Sequence, residues 1–167
     1  MKTYLAGTIY TKDDYFQRWR HIAARYLRNH GIIPLSPLVG KELMSSTDGG
    51  ITSDVPNRSI LIRDYTMVKS AHLVLANLKI IGDEGKCEKP FVGTFFEMGW
   101  CWEMKKPIIA VVEPDNYLFN EHPFLNAAIT QKFETLEEAL ENIVEYWNWN
   151  WEKEKEMQGI DNSLRIC

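Results

Sequence analysis

A three-layer α/β fold built on a five-stranded parallel sheet is the architecture the sequence predicts, and three observations predict it. Five short apolar runs alternate with longer amphipathic stretches, as successive βαβ units do. Each run is of strand length rather than helix length. The 167 residues fit one core of ordinary size, with no disulfide or metal staple required.

Thr3 to Ala6 reads as the first strand. Asp13 to His30 follows as helix one, carrying Phe16, Trp19, Ile22, Ala23, Tyr26 and Leu27 at helical spacing, with Asn29-His30-Gly31 as its stop. Ile32 to Leu35 is the second strand. Val39 to Asp54 is rich in Gly, Ser, Thr and Asp and has no clear period, so it reads as a surface loop long enough to invite a functional use. Helix two runs from Pro56-Asn57 to Ser70, with Ile60, Met67, Val68 and Ala71 on one face and Asp64 on that same face. His72 to Leu78 is the third strand.

Gly93-Thr94 opens helix three, which runs through Met104. Its Phe95, Phe96, Met98, Trp100, Cys101 and Trp102 make it apolar all round and predict burial on more than one side, a subunit contact being one way to supply that. Pro107 to Val112 is strand four, Pro123 to Ala128 a short helix, and Ile129 to Phe133 a weaker fifth strand. Thr135 to Trp151 is a long final helix, closing a single domain over residues 1–151 and leaving a polar tail over 152–167. The commonest winding of five such units is the flavodoxin-like (Rossmann-like) order 2-1-3-4-5. It places ligands at the carboxyl ends of the strands near the order reversal, where Gly7, Asn77 and Glu113 fall.

Composition narrows the function classes. With 19 Lys+Arg against 23 Asp+Glu, the chain lacks the positive field that binds polymeric nucleic acid. Cys87, Cys101 and Cys167 form no C-x-x-C pair and leave an odd count, which points to a reducing compartment and hence the cytoplasm. No apolar run approaches the ~20 residues of a membrane span, and Tyr4-Leu5-Ala6 is too brief for a signal-peptide core. The four histidines show no metal-ligand spacing, and neither G-x-G-x-x-G nor a P-loop is present, so no metal or organic cofactor is expected. Cys101 between two tryptophans reads as an inert core thiol. The Trp147, Trp149 and Trp151 cluster, followed by Glu152, Glu154 and Glu156, suits packing of the last helix better than base stacking.

Three positions remain as candidates for chemistry. Glu97 lies in Gly93-Thr94-Phe95-Phe96-Glu97-Met98-Gly99, where Thr94-x-x-Glu97 is equally the pattern of a capping box, as is Thr135 to Glu138 at the last helix. Both readings of Glu97 stand at this level. Asp64 interrupts an apolar helix face, so it is either paired with an arginine such as Arg58 or Arg63 or used in a site. Tyr4 and Thr8 flank Gly7 at the end of the first strand, where a glycine lets backbone approach an anion or sugar; Tyr4 serves equally well as a core aromatic with a bonded hydroxyl.

Taken in order, Tyr4-Leu5-Ala6-Gly7-Thr8-Ile9, Arg63-Asp64, Ala71 to Ala76 and Gly93 to Gly99 resemble the nucleoside 2-deoxyribosyltransferase family over residues 3 to 145. Deoxynucleoside 5′-monophosphate N-glycosidases share that superfamily. The resemblance implies that Glu97 attacks the anomeric carbon to form a deoxyribosyl ester, that Asp64 handles the departing base and that Tyr4 positions the nucleophile. It also implies substrate-binding roles for Gly7, Thr8, Asn77, Phe91, Gly93 and Thr94. The implied partners are a nucleoside or nucleotide and a purine or pyrimidine base, worked on by a homo-oligomer.

The chain departs from the family at informative points. Six residues before the nucleophile, transferases often carry Asp and nucleotide hydrolases Ser; here the residue is Phe91, which leaves sugar or phosphate recognition unassigned. Asp83, Glu84 and Glu88 precede it as acids that either substitute or simply solvate a loop. His72 stands where members commonly carry Asp, and the Leu164-Arg165-Ile166-Cys167 end does not resemble the tails that complete a neighbour's site. The expected activity is transfer of the deoxyribosyl group to another base through Glu97, with hydrolysis of the N-glycosidic bond of a deoxynucleoside 5′-monophosphate, or nucleotide sensing without catalysis, as the alternatives.

Overall fold

The computed structural model describes residues 1–7, 9, 14–39, 45–47, 50–52, 56–79 and 92–148. Its main sheet contains β1 (Lys2–Gly7), β2 (Ile33–Leu35), β5 (Leu73–Asn77), β6 (Ile108–Val111) and β7 (Gln131–Phe133), all parallel, in the order β2-β1-β5-β6-β7. Counting only these five, that is the predicted 2-1-3-4-5.

The strands sort their side chains by the period of two. Tyr4 and Ala6 of β1, Val74 and Ala76 of β5 and Ile108 and Ala110 of β6 join one core. There they meet Val68 of α2 (Asn57–Ser70), Met98 and Cys101 of α3 (Val92–Glu103) and Phe119 of α4 (Tyr117–Glu121). Leu5, Leu73, Leu75, Ile109 and Val111 point the other way, to Trp19, Ala23, Ala24 and Leu27 of α1 (Asp14–Asn29) and Ala139 and Leu140 of α6 (Leu136–Asn142). A parallel sheet covered on both faces needs apolar residues on both, which is why its strands read as continuous apolar runs.

Several elements differ from the sequence reading. Within the stretch expected to be loop, β3 (Ser45–Thr47) and β4 (Gly50–Thr52) pair antiparallel, Thr47 opposite Gly50. The two residues between them are Asp48-Gly49, a dipeptide that favours tight hairpins and carries more information than the period. A short α4, capped by the Asn116 side chain accepting from the Phe119 amide, precedes α5 (Pro123–Ala128). The last helix is not one α-helix to Trp151. After a capping box at Thr135 and Glu138, α6 passes into a π-helical turn over Ile143–Trp147. Trp147 packs within its own chain, its indole N–H donating to Gln131 Oε1 at 2.9 Å, whereas Trp149, Trp151 and the tail lie outside the described residues. No helix among the described residues is long and apolar enough to cross a membrane.

Helix α3 buries one face only. Thr94, Glu97, Met98 and Cys101 point inward, while Phe96 and Trp102 are more than half exposed. Helix α2 likewise buries Val68 and presents Leu61 and Ile62 to solvent.

Candidate active site

The site assembles at the carboxyl ends of the central strands. β1 and β5 end level, with Gly7 opposite Asn77. Gly7 has φ +153°, and a Cβ placed there would fall 2.9 Å from the Asn77 carbonyl oxygen and 3.0 Å from the Trp19 ring. Only glycine accepts both that backbone and that crowding. Asn77 is buried, its Oδ1 accepting from the Lys79 amide at 3.2 Å.

Glu97 is brought to this end by α3. The helix begins at Val92, so Thr94 already lies inside the first turn and Glu97 follows in the second. Neither is at a cap, and the capping-box reading of this pair is overturned; at Thr135 and Glu138 the same pattern does form the box. The Glu97 carboxylate instead receives the Tyr4 hydroxyl, 2.5 Å from Oε1, across 93 positions of sequence. Tyr4 has no exposed surface and Glu97 is 7% exposed, so this is a charge-assisted bond away from bulk water. The two readings of Tyr4 hold together: the ring is core and the hydroxyl is bonded.

The electrostatics follow from that burial. Loss of solvent raises the Tyr4 phenol far above its ordinary value, and then Glu97 and Asp64 beside it raise it further, with Arg20 opposing. Tyr4 is therefore a proton donor to Glu97 at any working pH. Asp64 is half-buried on α2 with its Oδ1 shut off from solvent, near enough to act on Tyr4. Arg63 beside it donates to the Val39 carbonyl. The Cys101 thiol, one helical turn beyond Glu97, is pushed up to about 12 by burial and then by Glu97, which fits an inert core residue.

Of the remaining positions, Thr94 is buried, whereas Gly93 is exposed within the helix and a Cβ there would meet nothing within 4 Å. Gly93 is thus not required by packing. Thr8 and Phe91 lie outside the described residues. Among the described residues no group of three His, Cys, Asp or Glu is placed to hold a metal ion.

One residue of the site escaped the sequence reading. Arg20 of α1 is 2% exposed, donates through Nη2 to the Gly7 carbonyl at 2.6 Å and through Nε to that of Leu5 at 3.4 Å, and lies 4.5 Å from the Trp19 ring centroid. The signal was present: Arg20, Ala23 and Leu27 form one stripe at spacings of three and four.

The model of the family described as nucleoside 2-deoxyribosyltransferase matches residues 3–162. A 2-deoxyribosyltransferase from Bacillus psychrosaccharolyticus superposes with a TM-score of 0.59 at 18% identity, over 92% of this chain and 95% of that one. A conserved protein from Enterococcus faecalis gives 0.58 at 17%, over 85% and 96%. A CMP N-glycosidase from Clostridium botulinum gives 0.54 at 17%, over 87% and 100%. At these identities the likeness is one of fold. None of the curated proteins is significantly similar to the sequence.

Proposed function

Because the chain belongs to the nucleoside 2-deoxyribosyltransferase family, we propose that it cleaves the N-glycosidic bond of a 2′-deoxynucleoside and passes the sugar to a second base. The observation that carries this reading is the buried 2.5 Å bond from Tyr4 to Glu97 at the carboxyl end of the sheet. In the first step Glu97 Oε2 bonds to C1′ as the C1′–N bond breaks. The electron pair leaves with the base nitrogen, which takes a proton from the Asp64 carboxyl group. In the second step the acceptor nitrogen bonds to C1′, the pair of the C1′–O bond returns to Glu97, and the acceptor's proton restores Asp64. Tyr4 holds Oε1 so that Oε2 faces the sugar, and the substrate-binding roles fall to Gly7, Thr8, Asn77, Phe91, Gly93 and Thr94.

An oxocarbenium-like transition state needs an anion on one face and a proton donor at the leaving nitrogen, and two carboxylates in different surroundings supply both. The exposed Leu61 and Ile62 of α2 and Phe96 and Trp102 of α3 support a homo-oligomer that covers them. The odd cysteine count supports a cytoplasmic setting.

Deoxynucleosides and their 5′-monophosphates, incubated with and without an acceptor base and resolved by chromatography, test the reading. Transfer predicts a new nucleoside when acceptor is present. Base release confined to monophosphates, with no new nucleoside, would replace transfer by hydrolysis, and tight binding with no turnover would make the protein a sensor. In the same assay Tyr4→Phe is expected to lower turnover about 10-fold to 100-fold, the worth of a hydrogen bond to a charged group.

A further inference from the structure

Helices α2 and α3 lie side by side on one face of the sheet, each leading into a strand of the same parallel set, so they run parallel to one another. Tyr65 meets Trp100 edge-on at 5.3 Å, and Lys106, just beyond α3, donates through Nζ to the Lys69 carbonyl in the last turn of α2. That register sets Leu61 level with Phe96. On α3 the residues opposite the buried Thr94, Glu97, Met98 and Cys101 are Val92, Phe96, Gly99 and Glu103, spaced by four, three and four. With Leu61, Ile62 and Tyr65 of α2 they make one surface, apolar at its centre, with Arg58 at one end and Lys69 and Glu103 at the other. Leu61, Ile62, Tyr65, Val92 and Phe96 present roughly 500 Å² there, at the upper end of what a monomer leaves open and over half of the ~800 Å² that each side of a standard interface buries. Gly99 lies in the middle of the stripe. A Cβ on it would meet nothing within 4 Å and its φ is not positive, so neither packing nor backbone asks for glycine, which weakens a helix interior relative to alanine. Its missing side chain leaves a hollow one turn beyond Phe96.

We propose that this surface is an isologous interface between two copies of the chain, with α2 of each protomer lying along α3 of its partner about a two-fold axis parallel to the helices. The surface is complementary to itself under that rotation. Leu61 comes against the partner's Phe96, and Tyr65 comes over the hollow at the partner's Gly99, so each projection meets a recess on an identical surface. Lys69 and Glu103 both stand at the C-terminal ends of their helices, so each Lys69 comes opposite the partner's Glu103. The opposite rotation, α2 on α2, would set Lys69 against the partner's Arg58, and like charges oppose it. This names the contact of the homo-oligomer proposed above and does not rest on the chemistry at Glu97.

Analytical ultracentrifugation of the full chain over about 1 to 100 μM tests this. Wild type is expected to sediment as a dimer, or as a larger assembly that contains it. Phe96→Asp and Gly99→Leu are each expected to weaken self-association about 30-fold or more, with circular dichroism showing that these exposed positions leave the fold intact. Gly99→Leu is the discriminating variant. It adds apolar surface and favours the helix, so indiscriminate stickiness would grow or stay the same, whereas a partner seated in the hollow is pushed out. Lys69→Glu and Glu103→Lys should each weaken association about threefold or more and together restore it. Without that recovery the α2-on-α3 arrangement is overturned. An assembly untouched by Phe96→Asp and Gly99→Leu overturns this interface alone, and a wild-type monomer at the top of the range overturns the interface and the homo-oligomer together. No substrate enters the measurement, so a dimer of this kind that turns over no deoxynucleoside sinks the catalytic reading and leaves the interface standing.

Discussion

Glu97→Ala is expected to remove nearly all turnover, about 10⁴-fold or more, because in the proposed mechanism it takes away the oxygen that bonds to carbon. The measure is base release from whichever deoxynucleoside wild type consumes. The fold should persist, since Met98 and Cys101 continue to anchor α3 in the core and the helix loses no cap at this position. An unaltered circular dichroism spectrum together with lost activity separates chemistry from collapse. Turnover near wild type would mean that the Tyr4 bond serves only to satisfy a buried carboxylate, and the nucleophile would have to be sought elsewhere.

Gly7→Ala carries the second large effect, on stability as well as rate. Its Cβ would press on the Asn77 carbonyl and the Trp19 ring at once, in a backbone conformation that side chains rarely adopt. Backbone strain and overpacking together cost about 3 kcal/mol or more. For a chain of this size that lowers the melting temperature by about 6 to 12 °C, measurable by calorimetry. Activity should fall even below the melting range, because the strand end that faces Glu97 has to move. Gly93→Ala is the control: it meets empty space inside a helix and should leave the melting temperature unchanged or slightly higher.

Much of the architecture was legible because burial on both faces of a parallel sheet writes apolar runs directly into the chain, and all five strands fall where those runs are. The hairpin at 45–52 was not, since strands of three residues leave no measurable period and only Asp48-Gly49 marked the turn. At the site, composition and spacing left Glu97 divided between cap and nucleophile, because the division depends on where α3 begins. A start at Val92 rather than Gly93-Thr94 moves Glu97 a turn deeper and into reach of Tyr4. No local rule connects residues 93 positions apart; strand pairing and helix docking do. Asp64 stood out as a charge on an apolar face, and the same test applied to helix one would have found Arg20.

The Gly7 notch bears on how the two layers of the molecule communicate. A sheet with a packed core on each side ordinarily insulates one layer from the other. Here the Arg20 guanidinium, over the Trp19 ring, crosses that partition and holds the Gly7 carbonyl at the end of β1. Changes in α1 that tilt this stack by a fraction of an ångström move the strand end without altering any side chain on the far face of the sheet.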